Sequence, residues 1–233
     1  MAMPLVLLPS ACLIAASVSL VPEISEACAV KQDTRISKTV SATFLFTSVI
    51  GFGAAVLFAV FPHEICYIVY DRAALGQVLF PLAFLCPLLY AQTTLHGLLN
   101  GLGEQLFLFR NNILSSCISI AVIWFCMPAY GVAAFLGGWF LSLLFSVSCS
   151  LHRLWKRTAV LPSCRSCFFK PLLAGAAAGL ITKYCIRIFA PSKLLFLGSL
   201  CGMGVLYLLF LFLLGCLDKK MLSLLLGKKT GGR

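Results

Sequence analysis

"GQVLFPLAFLCPLLYAQTTLHGLLNGLGE", residues 76 to 104, holds the two features that decide how this chain folds. From 76 to 98 it has no Asp, Glu, Lys or Arg, and that length is enough for a helix to cross a hydrocarbon core, which takes about 20 residues. Toward its end, Gln92, His96, Asn100 and Glu104 recur every four residues, with Thr93, Gly97 and Gly101 beside them. On a helix that spacing makes one slowly drifting polar stripe. Lipid has no water to satisfy backbone groups, and the run lacks the alternation of a barrel strand, so the segment must be helical.

Outward from this stretch the pattern repeats. Residues 4 to 22, 41 to 61, 109 to 127, 130 to 151, 168 to 190 and 193 to 216 are also long and mainly apolar. Together they predict an all-α membrane protein of about seven transmembrane helices, with a basic tail at 218 to 233. The whole composition agrees: of 233 residues 61% are hydrophobic and 11% charged, and the mean hydropathy is +1.03, well outside the range of a soluble domain. Pro4, Pro9, Pro81 and Pro87 allow kinks, and the pairs Gly175/Gly179 and Gly198/Gly202 predict close helix contacts.

The seven acidic residues fall near the ends of the apolar runs or between them, as the cost of a charge at the bilayer centre requires. The net charge of +11 comes from short Lys and Arg clusters beside those runs, a pattern of cytoplasmic loops and not of a nucleic-acid surface. The stretch 152 to 170 carries Arg153, Lys156, Arg157, Arg165 and Lys170 and no acid, so it is expected in the cytoplasm. Alternation then puts Lys31, Arg35, Lys38, Arg110 and the C-terminal tail inside as well, with the N-terminus outside. The nearly neutral turns at 62 to 75 and 128 to 130 fall outside, and Lys183, Arg187 and Lys193 sit there in discord with the rule. The expected location is a cell membrane, crossed many times, with a cytoplasmic C-terminus.

Most chemistry is excluded by absence of its parts. No nucleophile, base and orienting group can be assembled, no Gly-rich phosphate loop follows a strand, and "HEIC" at 63 to 66 lacks the second histidine of a zinc-protease motif. His63 and Glu64 read as interfacial. The twelve cysteines lie largely within apolar runs, where a thiol acts as a small hydrophobe. Cys164 and Cys167 have metal-type spacing without a second pair, and read as free thiols. Neither intrinsic catalysis nor a cofactor is expected.

Three segments carry a resemblance. "MAMPLVLLPSACLIAASVSLVPEISEACAVKQDTRISKTV" (1 to 40), "LHGLLNGLGE" (95 to 104) and "MPAYGVAAFLGGW" (127 to 139) resemble, in family order, the second half of the polysaccharide-transporter branch of the MOP (MATE-like) flippase superfamily. The resemblance covers roughly residues 1 to 160 and implies that the chain corresponds to helices 8 to 14 of a two-lobed, fourteen-helix transporter. Residues 1 to 160 would then be five helices of the C-terminal lobe, and 161 to 217 two additional helices. It also implies a substrate, a lipid-linked oligosaccharide or peptidoglycan precursor flipped by alternating access in spore-cortex or envelope biogenesis. The partners implied are that saccharide, membrane lipids, and a missing N-terminal lobe or second protomer, with no nucleic acid.

Under that reading Gln92, Thr93, His96, Asn100, Ser17 and Ser19 are the substrate-cavity candidates, and Glu23, Glu26, Glu104 and Arg110 stand at the cytoplasmic mouth. Each has a plainer alternative. The stripe can be glue between helices, aided by Gly97 and Gly101; His96 can be a structural histidine instead of a proton carrier; Glu23 and Glu26 can cap the helix that follows; and the arginines can serve only to set orientation. Two rival functions are cation-coupled MATE-type drug efflux, which would favour cavity carboxylates, and a non-transporting scaffold for envelope glycosyltransferases that docks on 152 to 170.

Overall fold

The computed structural model describes residues 3 to 30, 32 to 158, 169 to 189 and 193 to 214. Among them there is no strand. Eight α-helices follow in order: α1 Met3–Ala29, α2 Asp33–Val60, α3 Pro62–Tyr70, α4 Gly76–Gly101, α5 Gln105–Tyr130, α6 Val132–Thr158, α7 Lys170–Phe189 and α8 Lys193–Leu213.

Five of these, α1, α2, α4, α5 and α6, are long and apolar enough to cross a membrane. The expected count was seven, and the shortfall falls on the last two stretches. Both of those stretches reach into residues whose side chains are not described, and the described apolar part of α8 is the shorter segment Gly202–Leu213. The CxxC pair Cys164/Cys167 and the tail from 218 lie outside the described residues.

The helices also outrun the apolar stretches. α1 continues through Pro22 to Ala29, because nothing in "EISEACA" stops a helix once it leaves an apolar environment. The expected turn at 62 to 75 is largely helix. Phe61, which precedes a proline and is therefore pushed out of helical geometry, breaks the backbone at φ −124°. Pro62 then opens α3 at its first position, where a missing N–H costs nothing. Gly131, at φ +54°, makes the turn from α5 to α6, a conformation that glycine takes without a steric penalty.

α4 is the central helix, packed on α1, α2 and α6 and scarcely touching α5; α5 packs on α6 instead. Two apolar clusters fill the core. One, at the α3 end, gathers Val6, Leu13, Phe58, Phe61, Leu82 and Tyr90. The other, at the opposite end, gathers Ile24, Val40, Leu95, Leu99, Leu108 and Leu154. The end of α1, the start of α2, the α4–α5 turn and the end of α6 thus meet at one end of the bundle. α7 and α8 pair and dock on α2: a Cβ at Gly175 or Gly179 would come within 2.9 or 2.8 Å of Val56, and the Tyr207 hydroxyl donates to the Val49 carbonyl at 2.8 Å. Around Gly198 and Gly202, by contrast, nothing among the described residues comes within 4 Å of the Cβ position.

Candidate functional site

The polar stripe of α4 divides between two surroundings. On one side of the helix, Tyr90 donates its hydroxyl to the Val6 carbonyl of α1 at 2.6 Å, Gly97 lies so near Ser17 that a Cβ would approach it to 2.6 Å, and Thr94 shares a 2.6 Å hydrogen bond with Thr47 of α2. On the other, Gln92 Nε2 donates to Ser146 Oγ of α6 at 3.1 Å. At about 100° per residue, Thr93, His96 and Asn100 fall in the sector left between α1 and α6. That sector is the open face of α4.

Each candidate has a definite place. Thr93 is half-buried and donates to the Leu89 carbonyl at 3.0 Å. His96 is half-buried, and its Nε2 is shut off from solvent with no hydrogen-bond partner. Asn100 is exposed. Ser17 is buried against Gly97, while Ser19 is exposed and donates to the Ala16 carbonyl at 2.8 Å. Glu23 and Glu26 lie inside α1, where Glu26 is exposed, and the residue that opens α2 is Gln32, whose own side chain makes no capping bond. Arg110 is exposed on α5.

Gln92 belongs to a network that the stripe alone does not reveal. Asn111 Nδ2 of α5 donates to Ser146 Oγ at 3.0 Å, to the Ser146 carbonyl at 3.2 Å and to Ser150 Oγ at 3.1 Å. Ser142 Oγ donates to the Ser115 carbonyl at 2.8 Å. Ser142, Ser146 and Ser150 are buried on one face of α6, and Asn111 and Ser115 on one face of α5. Their spacing of four residues was a signal in the sequence of the same kind as the α4 stripe, and it was passed over because serines are individually unremarkable in apolar helices.

At the Glu104 end the network gives way to charge. Glu104, only 6% exposed, receives Arg153 Nε and Nη2 at 3.0 and 2.8 Å on one oxygen and Arg157 Nε on the other. Burial pushes the carboxyl up, but the two guanidiniums outweigh it and hold Glu104 below its ordinary value. Arg153 also lies over the Phe107 ring at 5.5 Å. Ser25 Oγ of α1 donates to the Gly101 carbonyl at 3.0 Å, tying α1 to the same turn. Among the described residues, no group of three His, Cys, Asp or Glu side chains could hold a metal ion.

The class is therefore an all-α protein with five helices of membrane-spanning length and a polar seam among α4, α5 and α6. Comparison with protein-family models, curated proteins and solved structures gives no match that names a family.

Proposed function

We propose that this chain forms one lobe of a membrane transporter that moves the polar headgroup of a lipid-linked saccharide by alternating access, with its Glu104 end in the cytoplasm. The observation that carries the reading is the open sector of α4. Thr93, His96 and Asn100 fall between α1 and α6, where Asn100 is exposed and Thr93 and His96 are half-buried. Facing lipid, such groups would be costly; facing a water-filled cavity shared with a second lobe, they would meet sugar hydroxyls. The saccharide class rests on the resemblance at 1 to 40, 95 to 104 and 127 to 139. Cation efflux is less well supported, because Glu104 is already occupied by Arg153 and Arg157.

The second lobe would come from further helices, a second protomer or a separate polypeptide. Gln92 falls away from the substrate path in this account, since it bonds to Ser146. The test replaces Thr93, His96 and Asn100 together by Leu and follows envelope polysaccharide export and protein amount in cells. Lost export at unchanged protein level is expected; normal export would refute the assignment.

A further inference from the structure

The Glu104 cluster carries more positive charge than its carboxylate can neutralise. Two guanidiniums meet one carboxylate, so one positive charge is left over, and Lys156 is exposed beside them. A cation surplus at the last turn of α6 is favoured by the helix dipole. The way the donors are used is more informative than the count. Arg157 reaches Glu104 through Nε, and both of its terminal nitrogens make no hydrogen bond among the described residues. Arg153 commits Nε and Nη2 and keeps Nη1. Glu104 thus engages Nε of both guanidiniums and leaves Arg153 Nη1 and the two terminal nitrogens of Arg157 uncommitted among the described residues.

Those donors are reachable: the Arg153 side chain is 33% exposed and that of Arg157 is 56% exposed. Phe107 beneath Arg153 limits how far its guanidinium can swing. A second observation fixes the depth. Trp155, between the two arginines in sequence, is 47% exposed and set against His152 with ring centroids 5.9 Å apart. A tryptophan with its ring outward near the end of an apolar helix marks the level of lipid headgroups. At about 1.5 Å rise per residue, Arg153 and Arg157 lie within about 3 Å of that level along the axis.

We propose that Arg153 and Arg157, positioned by Glu104, form a binding site for the phosphate of an anionic membrane lipid in the leaflet that meets this end. The planar guanidinium fork matches a phosphate's oxygens as a lysine's point charge does not. The site lies at the edge of the bundle on α6 and is independent of the transport reading: it requires only that this end meet a membrane surface. Glu104 has a positioning role in it, trading one unit of attraction for fixed orientation of the donors.

The experiment uses the full chain purified in a zwitterionic detergent, with native mass spectrometry to count retained lipid after addition of phosphatidylglycerol or phosphatidylcholine. Preferential retention of phosphatidylglycerol is expected, falling about fivefold in Arg157→Gln, the usual effect of one basic residue at an anionic surface. Arg157→Lys keeps the charge but not the fork, so an intermediate loss is expected; it also serves if Arg157→Gln does not fold. Arg72→Gln, at an exposed arginine of the α3 end of the bundle, should leave retention unchanged. Equal retention of the two lipids, or an Arg157→Gln protein that retains as much as the parent, would overturn the proposal. Competition by inorganic phosphate at equal concentration would overturn it too, assigning the site to a soluble anion.

Discussion

Toward α1 and α2, α4 offers Tyr90, Gly97 and a row of leucines that are fully buried; toward α6 it offers the amide of Gln92, which meets Asn111 at Ser146, Asn111 reaching Ser150 as well. Both faces carry hydrogen bonds, Tyr90 to Val6 and Thr94 with Thr47 on the first and Gln92 to Ser146 on the second, but the first adds close contact around fully buried side chains. Helices in lipid gain nothing from excluding water, so close contact and hydrogen bonds are what remain to join them. The contact on the first face is steep and specific: remove the volume and the neighbours are left with a void. The second relies on bonds whose net worth in membranes averages about 0.6 kcal/mol, because the separated helices find other partners. The lesson is that α4 is held to α1 and α2 by contact and hydrogen bonds together, and to α6 by the Gln92 bond and the Glu104 ion cluster, so the expected cost of disruption is larger on the first side.

The comparison is tested most severely by Tyr90→Ala. Tyr90 is buried completely between α1 and α2, and loss of a large aromatic side chain from such a site costs about 3 to 5 kcal/mol. Tyr90→Phe, which forfeits only the bond to Val6, should cost about 1 kcal/mol. Unfolding measured by steric trapping in bicelles would read both. A cost below that of the seam mutants would break the distinction between the two faces.

Next in size is the charged end of the seam. Glu104→Gln should cost about 1.5 to 3 kcal/mol, the range for hydrogen bonds to charged groups, and should alter the response to acid. Glu104 is held below its ordinary value in the fold. Its stabilisation is then fully present above the unfolded carboxylate value, about 4.3, and is lost as pH falls through the lower folded value. The parent should be level from neutrality to about pH 5 and decline in stronger acid, and the variant should decline less. A parent whose stability fell between pH 7 and 5 through this residue would contradict the ion cluster.

How much of this was visible beforehand differs between the faces in the same way. The five long helices were legible because an apolar run of membrane length admits no other backbone solution, and only their ends moved, as when α1 passed through Pro22. The open sector was half legible. The stripe from Gln92 to Glu104 was plain, but a spacing of four cannot say which neighbour each side chain meets, and Gln92 turned to α6 while Asn100 remained exposed. The partner stripes on α5 and α6 were missed because serine is as common in helix packing as in recognition. The pairing of Glu104 with Arg153 and Arg157, 49 and 53 residues away, depends on α6 returning beside the α4–α5 turn. That is a fact of tertiary structure that local periodicity does not contain.

The smallest expected effect is the one that sharpens the comparison most. Asn111→Leu removes three contacts to Ser146 and Ser150, yet it should cost only about 0.6 to 1.7 kcal/mol, the span found for interhelical hydrogen bonds in lipid. Its two amide hydrogens are divided among three acceptors, and the serines can turn back to carbonyls of their own helix when it is gone. Gln92→Leu should cost less still. Both residues meet at Ser146 Oγ, so the double variant should cost more than the sum of the singles, since removal of one leaves the hydroxyl free for the other and softens each single loss. Steric trapping of the four proteins would measure that coupling. Strict additivity would mean that Gln92 and Asn111 act as separate links, and that α4 and α5 are held to α6 independently.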